Sequence, residues 1–341
     1  MAFPGPPDDE PFATDPHAGG AHASEPHGVA LSAFAERDPA RGLQAIAGCC
    51  RTDPGFEHLM LEAQGAFMNF EFARAADLAR RAVDANAGSA QAWRLYAFAL
   101  AECWAKEQAL AAAGRVMLLA GTDPVLLATN ARVATRMRCL DAAKFITELE
   151  EAIGKEHECV TEVRMLEAML SGLGMTCMDH AQALLDKVPG GPGLVELDGR
   201  ALAQVTLDAQ YARPVAALGI HHLESGDREK GHEFLAYARR LDPCDVVIEE
   251  SAALYLEPAM SPYIWFNKLM MPLLFVAFLV FPIVGYLMLG WMGLWAAAPP
   301  VVVLALTLIY QSVVGWRFRR ARRRHHAREL ARFPRAILPI D

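Results

Sequence analysis

The chain has 341 residues, enough for two domains or for one domain with additions, and carries a net charge of −8 with 53% apolar and 21% charged residues. Those averages hide a sharp division: positions 269–316 contain no Asp, Glu, Lys or Arg, residues 317–341 sum to +7, and everything before them sums to −15. A uniformly soluble globule is excluded, and so is a wholly disordered chain.

Residues 1–28 carry Asp8, Asp9, Glu10, Asp15 and Glu25 with no Lys or Arg, and are rich in Pro, Gly and Ala. Too little apolar matter is present to offset the entropy of ordering, so a flexible acidic tail is expected. The segment has neither a basic start nor an apolar run, so it does not read as a secretory signal. Seven cysteines at irregular spacings, with no C-x-x-C, argue for reduced, buried thiols rather than a disulfide or zinc framework.

From 29 to 260 the composition predicts helix almost throughout, broken at Asp-Pro and at Gly. Ala63, Ala97 and Ala131 lie 34 residues apart, as do Ala75, Ala109 and Ala143, and as do Leu59, Trp93 and Leu127. Two small-residue series offset by twelve place one on each helix of a two-helix unit, where small side chains let helices approach.

That pattern resembles the tetratricopeptide repeat. Residues 90–123 carry it through Trp93, Tyr96, Ala97, Leu100, Ala109, Ala113 and Val116. Residues 212–245 carry it through Leu218-Gly219, Gly226-Asp227, Ala238 and Pro243. Residues 56–89 and 124–157 fit the same frame, and 158–211 is degenerate: Ala181 is out of register and Pro189-Gly-Gly-Pro192 interrupts the chain. The resemblance implies an all-α fold, a right-handed α-solenoid of helix pairs, whose curved surface binds proteins more often than it performs chemistry. In that family the first helix of each pair lines the concave face. This points to Gln91, Arg94, Phe98, Arg132, Arg213 and Ile220 as the groove that would take a protein or peptide partner, with Arg94 and Arg132 available to a carboxylate. Arg94 and Phe98 stand where the family's chaperone-tail clamp has Lys and Asn, so that particular ligand is not expected.

A single helix over 269–316 would be roughly 72 Å long, more than twice the ~30 Å hydrocarbon thickness. Two spans are therefore predicted, at 269–289 and 295–315, turning at Gly290 and Gly293 with Trp291 and Trp295 at headgroup depth. Lys268 precedes the pair and an arginine run follows it, so the positive-inside rule places both flanks in the cytoplasm and the protein in a membrane, a bacterial inner membrane by its composition. Arg317, Arg319, Arg320, Arg322, Arg323 and Arg324 are expected to fix that topology and lie on anionic lipid; no nucleic-acid fold surrounds them.

No catalytic motif is present: there is no H-E-x-x-H, no phosphate loop and no G-x-S-x-G. His221, His222, Glu224 and His232 read as structural or solvated rather than as a metal site. The sequence thus predicts a non-enzymatic scaffold without a cofactor, its partner a protein. The alternative is an accessory integral-membrane subunit of a transport, secretion or envelope-synthesis complex, acting through the hairpin.

Overall fold

The computed structural model describes residues 25–47, 54–171, 174–187, 193, 198, 207–256 and 328–337. Among them there is no strand. The α-helices are α1 (Glu25–Ala35), α2 (Pro39–Ile46), α3 (Phe56–Met68), α4 (Phe72–Ala85), α5 (Ala90–Glu102), α6 (Lys106–Leu119) and α7 (Pro124–Arg136). They continue with α8 (Ala142–Ile153), α9 (Glu158–Ser171), α10 (Gly174–Leu185), α11 (Ala212–Ser225), α12 (Arg228–Leu241) and α13 (Val246–Leu256). Short 3-10 turns lie at Ala209–Tyr211 and Pro334–Ile337. Helix α1 begins inside the stretch expected to be a tail.

Helix starts follow local chemistry. Asp38 accepts from the Arg41 amide ahead of α2, Ser89 from Ala92 ahead of α5, and Asp123 from Val125 and Leu126 ahead of α7. In α2 and α7 a proline occupies the first turn, where its missing N–H costs nothing. The Asp-Pro steps at 38–39 and 123–124 are thus starts of helices as much as ends of the preceding ones.

Consecutive helices pair, and consecutive pairs stack, an arrangement compatible with a tetratricopeptide-like repeat. The 34-residue period also appears in the backbone. Phe70, Trp104 and Arg138 sit at equivalent places between the two helices of successive pairs, with φ of 60°, 62° and 50°. Each is followed by an amide that reaches back to close the turn: Glu71 to the Ala66 carbonyl at 2.8 Å, Ala105 to Leu100 at 3.0 Å, Cys139 to Ala134 at 2.9 Å. Gly226, with φ 103°, holds the matching place in the 212–245 unit.

The small residues sit where the helices cross. Ala63, Ala75, Ala97, Ala109 and Ala131 are all buried. In the α11–α12 pair backbone meets backbone closely: a Cβ on Gly219 would lie 2.9 Å from the Leu235 amide nitrogen and 3.1 Å from the Gly231 carbonyl oxygen. Ala143 is an exception. It is exposed, and its neighbour Ala142 is buried instead, so α8 is turned one residue out of the alanine register.

The helical stack also returns on itself. Cys244, between α12 and α13, packs on the Ala30, Phe34, Ile46, Leu61 and Met68 cluster of α1–α3, and Asp242 pairs with Arg37 at 3.6 Å. Val246 joins the central core. Residues 328–337 are part of the same compact unit as the helices up to Ala252. Among the described residues no helix is long and apolar enough to cross a membrane. The predicted spans 269–289 and 295–315 and the run Arg317–Arg324 lie outside the described residues, as does the expected tail up to residue 24.

Candidate partner-binding site

Helix α5 carries Gln91, Arg94 and Phe98 at intervals of three and four, one stripe of a helix surface. Helix α7 adds Arg132, α9 adds Glu162 and α11 adds Arg213. These converge. Arg132 and Arg213 both donate to the Glu162 carboxylate, and Arg213 Nε also donates to Asp245 Oδ2 at 2.6 Å. Asp245 in turn caps α13, accepting from the Val247 amide at 2.8 Å and the Ile248 amide at 3.1 Å.

Arg94 is the exception within this network. It is 2% exposed, yet Nε and Nη2 have no hydrogen-bond partner, and Nη1 reaches Gln91 Oε1 only at 3.5 Å. Its guanidinium lies over the Phe98 ring, 5.4 Å from the centroid. Burial, reinforced by the like charge of Arg132, pulls its pKa down to about 9 against the opposing pull of Glu162 and Asp123. Arg132 Nε and the Thr129 and Thr135 hydroxyls, all on α7, are also buried without partners.

The counter-ions respond as charge pairing requires. Burial alone would raise the Glu162 pKa, but Arg132, Arg213 and Arg94 outweigh it and hold the group below the ordinary carboxylate range. Asp245 is likewise held low, burial being overcome by Arg213 and the two capping amides. Arg213 is raised: burial opposes its charge, and Asp245 and Glu162 more than restore it. A second knot lies nearby, where Arg136 donates through Nε and Nη2 to both Glu102 oxygens at 2.6 Å and through Nη1 to Glu250 at 2.5 Å.

The structure therefore brings Arg94, Arg132 and Arg213 together, with Gln91 and Phe98 beside Arg94. Ile220, like Arg94, is only 2% exposed, so two of the residues expected to line the groove are buried among the helices. The sequence reading missed Glu162 and Asp245, the anions that organise the arginines. Glu162 falls where the repeat register is lost, and Asp245 is the final residue of the last clear unit, beyond its two helices.

The histidine group does not assemble into a metal centre: among the described residues no three metal-ligating side chains gather. His222 bonds Asp198 at 2.7 Å and stacks on Phe234, while Lys230 reaches the same Asp198 oxygen at 2.5 Å. Cys103, Cys139, Cys159 and Cys177 are buried, unbridged thiols; burial pushes Cys103 and Cys177 up to about 12.

No protein-family model and no curated protein matches this chain.

Proposed function

We propose that the chain is a non-enzymatic scaffold of tetratricopeptide type, held at a membrane by its uncharged segment and engaging a protein partner through the arginine cluster. The observation that carries this reading is the 34-residue recurrence, written in the alanine series and again in the left-handed turn residues Phe70, Trp104 and Arg138. Stacked pairs of this kind present extended surfaces, and surfaces of that type serve recognition. The partner's chemistry follows from the gathering of Arg94, Arg132 and Arg213, of which Arg213 is the most exposed: guanidinium groups match a carboxylate, on a side chain or at a chain terminus.

The 48 uncharged positions support the membrane part, and both flanks read as cytoplasmic from Lys268 and the arginine run. One observation favours the accessory-subunit reading instead: Arg132 and Arg213 are already engaged by Glu162, which reduces what the inner face has free to offer.

Capture of the full chain from membranes in mild detergent tests the proposal. An Arg94→Met chain that is recovered folded and membrane-bound but loses a stoichiometric partner supports it. Retention of that partner removes Arg94 from the interface. Replacement of 269–315 by an unrelated two-span anchor separates the readings: preserved activity favours the scaffold, and lost activity favours the subunit.

A further inference from the structure

Residues 328–337 are separated from α13 by more than seventy positions, yet they are built into the helical core. Leu330 is 7% exposed and Ala336 fully buried, and both belong to the central cluster that α3 to α7 build, with Phe333 packed against it. The Tyr96 hydroxyl on α5 donates to the Ala336 carbonyl at 2.7 Å, a buried bond across 240 residues. The 3-10 turn Pro334–Ile337 lies against α4.

The segment has its own local order. Arg332, Phe333 and Ala336 amides close successive turns on Glu329, Leu330 and Phe333, at 3.0, 2.9 and 3.0 Å. Proline at 334 fixes φ for the turn and removes a donor that would otherwise need a partner. The result is a compact plug, with Leu330, Phe333 and Ala336 inward and Arg328, Arg332 and Pro334 exposed or partly so. The face of α5 that receives it carries Tyr96, whereas the arginine cluster uses Gln91, Arg94 and Phe98.

We propose that residues 328–337 are an intramolecular latch: the chain beyond the uncharged segment docks as a peptide ligand on a site formed by α4 and α5. Tyr96 reads the backbone at Ala336, and the core accepts Leu330 and Ala336. Tethering keeps the local concentration of the segment high, so a small contact area suffices. The consequence for topology rests on the membrane reading above. A chain that leaves the helical body after α13 and is fastened to it again by 336 must cross a bilayer an even number of times, because both anchor points share one face.

The test uses the full chain with a photo-crosslinking residue in place of Phe333. The expected product is an intramolecular crosslink to residues within 72–102. Ala336→Arg, which alters only the plug, should reduce its yield at least about tenfold, the factor expected from overpacking a filled site. Tyr96→Phe should reduce it about threefold, the worth of one hydrogen bond. A crosslink elsewhere, a crosslinked dimer, or insensitivity to Ala336→Arg overturns the latch.

Epitopes at the two chain ends in sealed vesicles supply the second readout: both exposed or both protected is expected, and one of each overturns the even crossing. A chain that fractionates as soluble yet still crosslinks retains the latch and sinks only the membrane reading. A membrane-bound chain without the crosslink does the reverse.

Discussion

Arg94 is a cost to the fold that its attraction to Glu162 and Asp123 offsets only in part. A buried guanidinium with two unpaired nitrogens forfeits hydration that the Phe98 ring restores only in part. Arg94→Met, similar in length and uncharged, should raise stability by about 1 kcal/mol, read as a higher urea midpoint at unchanged slope. A loss of stability would mean that the arginine is structural. Glu162 and Asp245 act in the opposite sense. Their pKa values are depressed in the folded chain, so the stability they contribute is complete above the ordinary carboxylate range and drains away as pH falls through and below it. Asp242 is raised by burial, despite Arg37, and subtracts from that limb. Urea midpoints followed from neutral to acid pH should fall, and Glu162→Gln should start lower at neutral pH and fall less steeply. An unchanged acid slope would refute the role given to Glu162. At this scale the arginines could be singled out because they recur on the first helix of successive pairs. Their burial and their anions were not, since both depend on helices that meet only after the chain has folded.

Pairs of helices are defined by what permits them to touch. The alanine series could be read directly from spacing, because a helix crossing tolerates no larger side chain at its closest point. Ala143 shows the limit. Spacing placed it in the crossing, but α8 is rotated so that Ala142 is buried instead, and period alone carries no information on a one-residue rotation. The left-handed turn residues were also hidden, since Phe, Trp and Arg have no preference for positive φ and adopt it only where the closing hydrogen bonds and packing outweigh the strain. The α11–α12 contact offers the sharpest check. Gly219→Ala drives a methyl against backbone of α12, which cannot yield as a side-chain tip can. A loss of about 1–3 kcal/mol is expected from urea unfolding. Gly114→Ala, where a Cβ meets nothing within 4 Å, should lose nothing and provides the control. Equal effects at the two glycines would show that the close approach is not what Gly219 is for.

An open array of repeats holds each unit only through its neighbours, so its end units open first. Here the first helices have a second attachment. Cys244 packs into the α1–α3 cluster and its Sγ lies 3.6 Å from the Arg37 carbonyl, with Asp242 facing the Arg37 guanidinium. Such contacts between distant parts of the chain were not readable in the sequence. The intervening register is lost over 158–211, and nothing in a linear pattern says where a superhelix comes back to its own start. Closure converts a sum of local interfaces into one cooperative unit, so α1 and α2 should exchange their amide hydrogens no faster than α9 and α10 do. Cys244→Arg removes the packing and sets a second cation beside Arg37. Exchange in Glu25–Ile46 should then accelerate about tenfold or more, while the α5–α6 pair keeps its protection. Fast exchange of α1 and α2 already in the unaltered chain would mean that the end is held only by α3 and that the return contact contributes nothing. Acceleration spread evenly over all helices would mean that Cys244 supports the whole fold instead of fastening its two ends.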